Sequence, residues 1–166
     1  LDESVNSTWS EVQNQYQRRF DLIPNLVETV KGYASHERET LTAVTEARSK
    51  VGGVMNLKAE DLTQENLAKF QQAQAGLSGA LQRLMVVVER YPDLKANQNF
   101  IRLQDELSGT ENRITVARQR FNNTVQGYNQ RIRRFPGRLW AALFGFEKRA
   151  YFEASEGAEE APKVEF

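Results

Sequence analysis

Residues 93–135 read DLKANQNFIRLQDELSGTENRITVARQRFNNTVQGYNQRIRRF, and this segment decides the fold class. Its apolar positions recur at steps of three and four residues, which places them on one face of a helix. Because the pattern continues for the whole segment, it predicts one long helix from about Asp93 to Phe135 that packs nearly parallel to its neighbours. The predicted buried face is Phe100, Leu103, Leu107, Thr110, Ile114, Ala117, Phe121, Val125, Tyr128, Ile132 and Phe135.

The same spacing runs through the start of the chain, up to Gly52-Gly53, and predicts a first long helix. Pro24 lies inside it, so a kink or a fresh helix start near Asp21 is expected. The spacing continues in phase beyond Pro24, which favours the kink. The predicted buried face is Val5, Trp9, Val12, Tyr16, Phe20, Ile23, Val27, Val30, Ala34, Leu41 and Val44.

A second long helix is predicted from about Leu62 to Tyr91, with Thr63 or Asp61 as its N-cap. It ends at Tyr91 because a residue before proline is pushed out of helical geometry. A short apolar segment, Arg138 to Phe146, predicts a final helix.

The predicted fold is therefore all-α, an elongated antiparallel bundle of three long helices plus a short C-terminal helix. Residues 1–153 are predicted to form this bundle domain. Residues 154–166 are rich in glutamate, alanine and glycine, and we expect an acidic, flexible tail there.

The composition excludes several classes of protein. The 22 basic residues balance the 22 acidic ones, so net charge does not point to nucleic acid or to an acidic substrate. Cysteine is absent, which rules out disulfides, thiolate metal sites and a thiol nucleophile. No apolar run approaches the roughly 20 residues of a membrane-spanning helix. Because the chain begins Leu1-Asp2-Glu3 without methionine, we expect its natural N-terminus to lie upstream.

No catalytic residue, cofactor-binding residue or metal ligand is predicted, and no cofactor is expected. His36 is the only histidine, and Thr40 stands where a His-Glu-x-x-His zinc site needs its second histidine. Adjacent carboxylates such as Asp105 and Glu106 point in different directions on a helix, which is typical of a solvated face. No glycine-rich phosphate loop and no Gly-x-Ser-x-Gly sequence occurs. An unrecognised enzyme stays the least favoured hypothesis.

Polar residues at helical spacing form the first candidate site. Polar groups buried between helices must be fully hydrogen-bonded, and they then fix the register of the helices. Two interpretations stay open: a solvated face, or a polar seam between the first and third helices that serves structure or interaction. The candidate residues are Arg18, Arg19, Asp21, Asn25, Glu28, Asn97, Asn99, Glu106, Glu111, Asn112, Arg118, Asn122 and Asn129.

The second candidate site is a basic, aromatic stretch near the C-terminus. Basic side chains beside aromatic rings suit a membrane interface, where cations meet anionic headgroups. The same pattern suits a cap that buries its rings over the end of the bundle, and this is favoured because large exposed apolar patches are uncommon. The candidate membrane-interface residues are Arg131, Arg133, Arg134, Arg138, Trp140, Phe144 and Phe146.

A resemblance to a known family begins at residues 18–33, RRFDLIPNLVETVKGY. It resumes at YPDLKAN (91–97), LQDEL (103–107) and TENRI (110–114). These segments resemble the LemA family, and the likeness covers nearly the whole chain. The resemblance implies a helical domain, usually preceded by a short transmembrane or lipoprotein-type segment, without an agreed biochemical activity. It names no cofactor and no catalytic residue.

The sequence and the resemblance together favour a non-enzymatic, membrane-tethered helical scaffold that binds another protein. The partners expected are an unidentified protein and the membrane, the latter through an N-terminal anchor that this chain lacks, with no nucleic acid and no small-molecule substrate. The resemblance places the domain at the cell membrane, on the extracytoplasmic side. The alternative hypothesis is direct lipid contact through the basic, aromatic segment 131–149.

Overall fold

The structure is a computed structural model that describes residues 2–133 and 150–152. Four long helices and one short helix follow one another along the described chain, and no strand occurs in these two ranges. The predicted all-α bundle is therefore confirmed. The helices are α1 (Asp2–Tyr33), α2 (Arg38–Gly52), α3 (Gln64–Val88), the short α4 (Pro92–Lys95) and α5 (Gln98–Arg133).

The four long helices run alternately up and down. Arg120, in the second half of α5, pairs with Glu11 near the start of α1, whereas Asn97, just before α5, donates to the Tyr33 hydroxyl at the end of α1. Helix α5 therefore lies antiparallel to α1. The shorter α2 returns along the second half of α1, where the Arg48 Nε donates to the Phe20 carbonyl at 3.0 Å. The helices pack most extensively in two antiparallel pairs, α1 with α5 and α2 with α3.

The core lies where large side chains fill the space between these two pairs. The ring of Trp9 packs against Phe70 of α3 and Phe121 of α5, with ring centroids 5.1 and 5.4 Å apart. The indole nitrogen of Trp9 donates to the Leu57 carbonyl at 2.8 Å, so the buried ring keeps a hydrogen-bond partner. Leu57 belongs to the connection between α2 and α3, which contains a 3-10 turn at Ala59–Asp61.

The first segment of the chain differs from its prediction, because it is two helices and not one. The break comes at residues 34–37, where the Glu37 amide donates to the Ala34 carbonyl in a turn that reverses the chain. Gly32 and Ser35 are weak helix formers beside the break. The reversal lets α2 bury Leu41 and Val44 against the rest of the bundle. Pro24 lies inside α1, which continues through it, so a fresh helix start at that point is ruled out.

The buried face of α1 also differs from the predicted face, by one residue at each of two positions. It passes through Arg19 and Leu26, whereas Phe20 and Val27 are only partly buried. The reason is a step of three residues after Tyr16, which turns Arg19 toward the core. Phe20 instead lies beneath the Arg48 guanidinium, 3.8 Å from ring centroid to Cζ.

The later helix boundaries follow from local capping. Thr63 is the N-cap of α3, and its hydroxyl accepts a hydrogen bond from the Asn66 amide at 3.1 Å. The predicted third helix begins as the separate turn α4, and α5 starts only after Asn97, whose side-chain oxygen accepts from the Phe100 amide. The predicted final helix (138–146) and acidic tail (154–166) lie outside the described residues.

Candidate functional site

The most unusual side chain in the bundle is Arg19, a charged residue in the middle of the apolar core. Only 1% of it is exposed to solvent. Its Nη2 donates to the side-chain and backbone oxygens of Gln74 at 2.6 and 3.1 Å, and its Nη1 donates to the Ser78 hydroxyl at 2.7 Å. Nη1 also lies 3.1 Å from Oε2 of Glu111, which forms an ion pair with it.

These contacts join three helices through one guanidinium, since Arg19 belongs to α1, Gln74 and Ser78 to α3 and Glu111 to α5. The Arg19 Nε and the Gln74 Nε2 are buried and have no hydrogen-bond partner among the residues that the structure describes. A buried charge is costly unless it is paired and hydrogen-bonded, so removing a partner of Arg19 should be destabilising. The cluster therefore links α1, α3 and α5 through one buried side chain.

Sequence reasoning found Arg19 and Glu111 but missed Gln74 and Ser78. Gln74 occupies the apolar stripe of α3 between Phe70 and Leu77, both fully buried. A glutamine at such a position is a signal that a polar group from another helix meets it. The sequence therefore shows that Gln74 needs a polar partner, but it does not identify Arg19 as that partner.

A second set of polar contacts follows the outer side of the α1–α5 pair. Each contact joins one residue of α1 to one residue in or just before α5, at distances of 2.9 to 3.2 Å. The pairs are Glu11 with Arg120, Gln15 with Arg113, Thr29 with Asn99, and Tyr33 with Asn97.

The predicted polar seam is brought together only in part. Arg19 and Glu111 meet directly. Asn97 and Asn99 reach α1 through Tyr33 and Thr29, which were not among the candidates. Glu106 is partly buried and bonds Arg102 of its own helix. Asn129 is buried.

The remaining α1 candidates point to solvent, as does one from α5. Asp21 accepts a hydrogen bond from Gln17 one turn earlier, and the Asn25 carbonyl accepts from the Thr29 hydroxyl. The exposed candidates are Arg18, Asp21, Asn25, Glu28 and Asn112. Their spacing places the four α1 residues in one solvent-facing row. We call the surface formed by these residues and the outer α1–α5 contacts the α1–α5 face.

Arg118 and Asn122 have a different role, because both hold the segment 150–152. The Phe152 amide donates to the Asn122 side-chain oxygen at 3.0 Å, and the Arg118 guanidinium covers the Phe152 ring at 4.6 Å. The same ring packs against Phe121 and Trp9, with centroids 5.6 and 6.1 Å apart. Phe152 therefore completes the aromatic cluster at this end of the α1–α5 pair.

Only two of the candidate membrane-interface residues can be placed. Arg131 and Arg133 are exposed in the last turn of α5. Arg134, Arg138, Trp140, Phe144 and Phe146 lie outside the described residues.

Two further properties of the described residues bear on function. Within residues 2–133 and 150–152, no three acidic or histidine side chains come together in a way that could hold a metal ion. None of the helices in the described part of the chain combines the length and apolarity that a membrane crossing requires.

Comparison with known proteins gives a family match over nearly the whole chain. The LemA family matches residues 8–166. The chain is similar to Magnetosome protein MamQ 2 of Paramagnetospirillum magneticum (strain ATCC 700264 / AMB-1), with 26% identity over 92% of this chain and 62% of that protein. It is similar to Magnetosome protein MamQ of Magnetospirillum gryphiswaldense, with 26% identity over 90% of this chain and 61% of that protein.

A third relative carries the family's own name. Protein LemA of Metamycoplasma hominis is 26% identical over 92% of this chain and 65% of that protein. The chain thus spans between 61% and 65% of the length of these curated relatives. Since the family match covers far more than half of the residues, the chain belongs to the LemA family.

Proposed function

We propose that this LemA-family chain is a non-enzymatic helical domain that binds another protein along its α1–α5 face, and that the full-length protein holds this domain at a membrane. The observation that carries the proposal is the length and polarity of that face. Helices α1 and α5 contain 32 and 36 residues. At about 1.5 Å per residue, they present a surface on the order of 50 Å long.

The chemistry of the face suits protein recognition better than catalysis. Its exposed row carries both signs of charge, since Arg18 is followed by Asp21 and Glu28. Val116 stands among these polar residues on α5 with 46% of its surface exposed. Interfaces that are not permanent are no more apolar than the rest of a protein surface, and complementary charge across them sets specificity and association rate.

The membrane tether is proposed for the full-length protein. It is supported by the family membership and by relatives that extend well beyond the matched region. We place the domain on the extracytoplasmic side, as expected from lipoprotein-type segments in proteins that resemble this one.

The test is photo-crosslinking in the native membrane. A photoreactive residue is placed at Asn25 or at Asn112 of the full-length protein, and crosslinked proteins are identified by mass spectrometry. We expect one partner to be captured from both positions and to be lost in an Asp21→Ala/Arg18→Ala variant. The matched control is Lys58→Ala/Glu60→Ala, which alters exposed charges in the connection between α2 and α3. Equal capture by both variants would refute a binding role for the face.

A second candidate function is direct lipid contact at the C-terminal end of α5. The supporting observation is that Arg131 and Arg133 are exposed and form no ion pair with any residue in the described ranges. Cations near a membrane surface are attracted to anionic headgroups. Flotation with anionic vesicles tests this role, and it should be lost in an Arg131→Glu/Arg133→Glu variant. Equal flotation of that variant would refute it.

A further inference from the structure

A groove between α2 and α3 lies on a different side of the bundle from the α1–α5 face. Its volume is about 550 Å³. We propose that this groove docks a helix of a partner protein that carries acidic side chains near both of its ends. The groove is lined by Ala43, Glu46, Ala47, Lys50, Val54, Lys69, Gln72, Ala73, Gly76, Ala80 and Arg83.

The lining of the groove contains more basic than acidic residues. Lys50, Lys69 and Arg83 face a single acidic lining residue, Glu46. Lys69 has only a 3.7 Å contact with the exposed Glu65 of its own helix. Within the described ranges, Lys50 and Arg83 form no ion pair. A local excess of cations in a chain of zero net charge favours an acidic ligand.

The positions of these cations set the length of the occupant. Lys69 and Arg83 are separated along α3 by fourteen residues, a distance of roughly 21 Å at the rise of an α-helix. Because α2 runs antiparallel to α3, Lys50 lies toward the Lys69 end of the groove and Arg83 toward the other end. A helix of about four turns spans the distance between the two ends of the groove. Since basic residues lie at both ends, the bound helix needs acidic residues near both of its own ends.

The floor of the groove accommodates the backbone of a third helix. It is formed by alanines and by Gly76, where an added Cβ would meet no heavy atom within 4 Å. The distance between packed helices depends on the size of the side chains at their contact, and small side chains permit the closest approach. A membrane surface fits less well, because interfacial binding relies on large apolar side chains, and Val54 is the largest apolar residue of this lining.

The binding test uses the intact protein and a synthetic probe. The probe is a fluorescent, alanine-based helical peptide with glutamates near both ends, and the control probe has lysines at the same positions. We expect saturable binding of the glutamate peptide, weakened by salt. The Lys50→Glu/Arg83→Glu variant should bind it at least tenfold more weakly. Equal binding of the lysine peptide, or absence of glutamate-peptide binding, would overturn the proposal.

A second variant blocks the floor without touching charge. Gly76→Leu places a side chain into the open groove, and a glycine replaced within a helix does not lower helix stability. We expect peptide binding to be lost while the midpoint of thermal unfolding stays the same or rises. The matched control is Gly127→Leu on α5, where an added Cβ also meets nothing within 4 Å and binding should persist. Undiminished binding to Gly76→Leu would contradict the proposed site.

Two other occupants are distinguished in the same assay. If anionic vesicles bind the protein and lose this binding in Gly76→Leu, whereas the peptide does not bind, the groove serves lipid and the proposal is wrong.

Residues 153–166 contain five glutamates and one lysine. If changing those glutamates to glutamine raises the affinity for the peptide more than tenfold, the occupant of the groove is this chain's own segment. The proposal of a partner helix is then overturned. Persistence of peptide binding in the Arg18→Ala/Asp21→Ala variant separates this site from the α1–α5 face.

Discussion

The guanidinium of Arg19 and the carboxylate of Glu111 meet at 3.1 Å although 92 residues separate them in the chain. Arg19 is 1% exposed, whereas the Glu111 side chain is 40% exposed. The anion therefore keeps much of its hydration while the cation is almost completely removed from water. Gln74 and Ser78 accept the remaining hydrogen bonds of the guanidinium, so the stability of Arg19 in the core depends on α3 as much as on its ionic partner.

Arg19→Ala should lower the free energy of unfolding by about 3 kcal/mol, because it leaves the buried Gln74 and the partly buried Ser78 without their hydrogen-bond donor. Urea denaturation followed by circular dichroism measures this. The matched control is Arg18→Ala, an exposed neighbour on the same helix, with an expected change within about 0.5 kcal/mol. An Arg19→Met/Gln74→Leu variant should recover part of the loss, since apolar side chains can replace a buried polar cluster. Equal effects of the Arg18 and Arg19 changes would contradict this account.

Phe152→Ala should destabilise the protein by about 3 kcal/mol, because the ring fills a cluster with Trp9 and Phe121. It should also shift the fluorescence of Trp9 to longer wavelength as water reaches the indole. The measurement is emission spectroscopy in a Trp140→Phe background, so that Trp9 is the remaining tryptophan. Tyr151→Ala is the control, because Tyr151 is only partly buried. An unchanged spectrum in Phe152→Ala would show that the segment does not shield Trp9.

The contact between Tyr91 and Glu37 should make stability depend on alkaline pH. The Tyr91 hydroxyl donates to Glu37 at 3.0 Å, and this hydrogen bond, followed by burial and the negative charge of Glu37, raises the pKa of Tyr91 above 10.0. The positive charge of Arg90 partly opposes this increase. Because the folded pKa is above the unfolded one, the stabilisation is complete below the unfolded pKa and is lost as pH rises through the folded pKa.

Thermal unfolding between about pH 8 and pH 12 therefore tests the Tyr91 contact. The midpoint of the native protein should fall more steeply with pH than that of Tyr91→Phe, which lacks the titrating hydroxyl. Parallel curves for the two proteins would show that the hydrogen bond contributes nothing.

Asn97→Ala should cost about 1 kcal/mol, because the Asn97 side chain caps α5 by accepting from the Phe100 amide. Its amide group also donates to the Tyr33 hydroxyl at the end of α1. Asn112→Ala is the matched control: it changes the same residue type on an exposed position of α5, and alanine favours the helix there. Chemical denaturation of both variants gives the comparison. Equal stability of the two would rule out the cap.

The sequence by itself determined the class of the fold and the faces of the later helices. Apolar spacing of three and four residues identifies the buried side of α5 from Phe100 to Tyr128, because a regular helix turns by a constant angle per residue. Local capping is equally readable, since Thr63 bonds an amide only three residues away. The family match likewise depends on sequence alone, through segments such as residues 18–33.

Tertiary structure alone decided which polar groups meet. A one-residue shift on α1 brings Arg19 rather than Phe20 into the core, and both choices fit a helical period of 3.6 residues. The turn after Tyr33 divides the first segment because α2 buries more apolar surface when it folds back than when it extends α1. Contacts such as Arg19 with Gln74 join residues that are remote in sequence, and periodicity within one helix carries no information about the register of another.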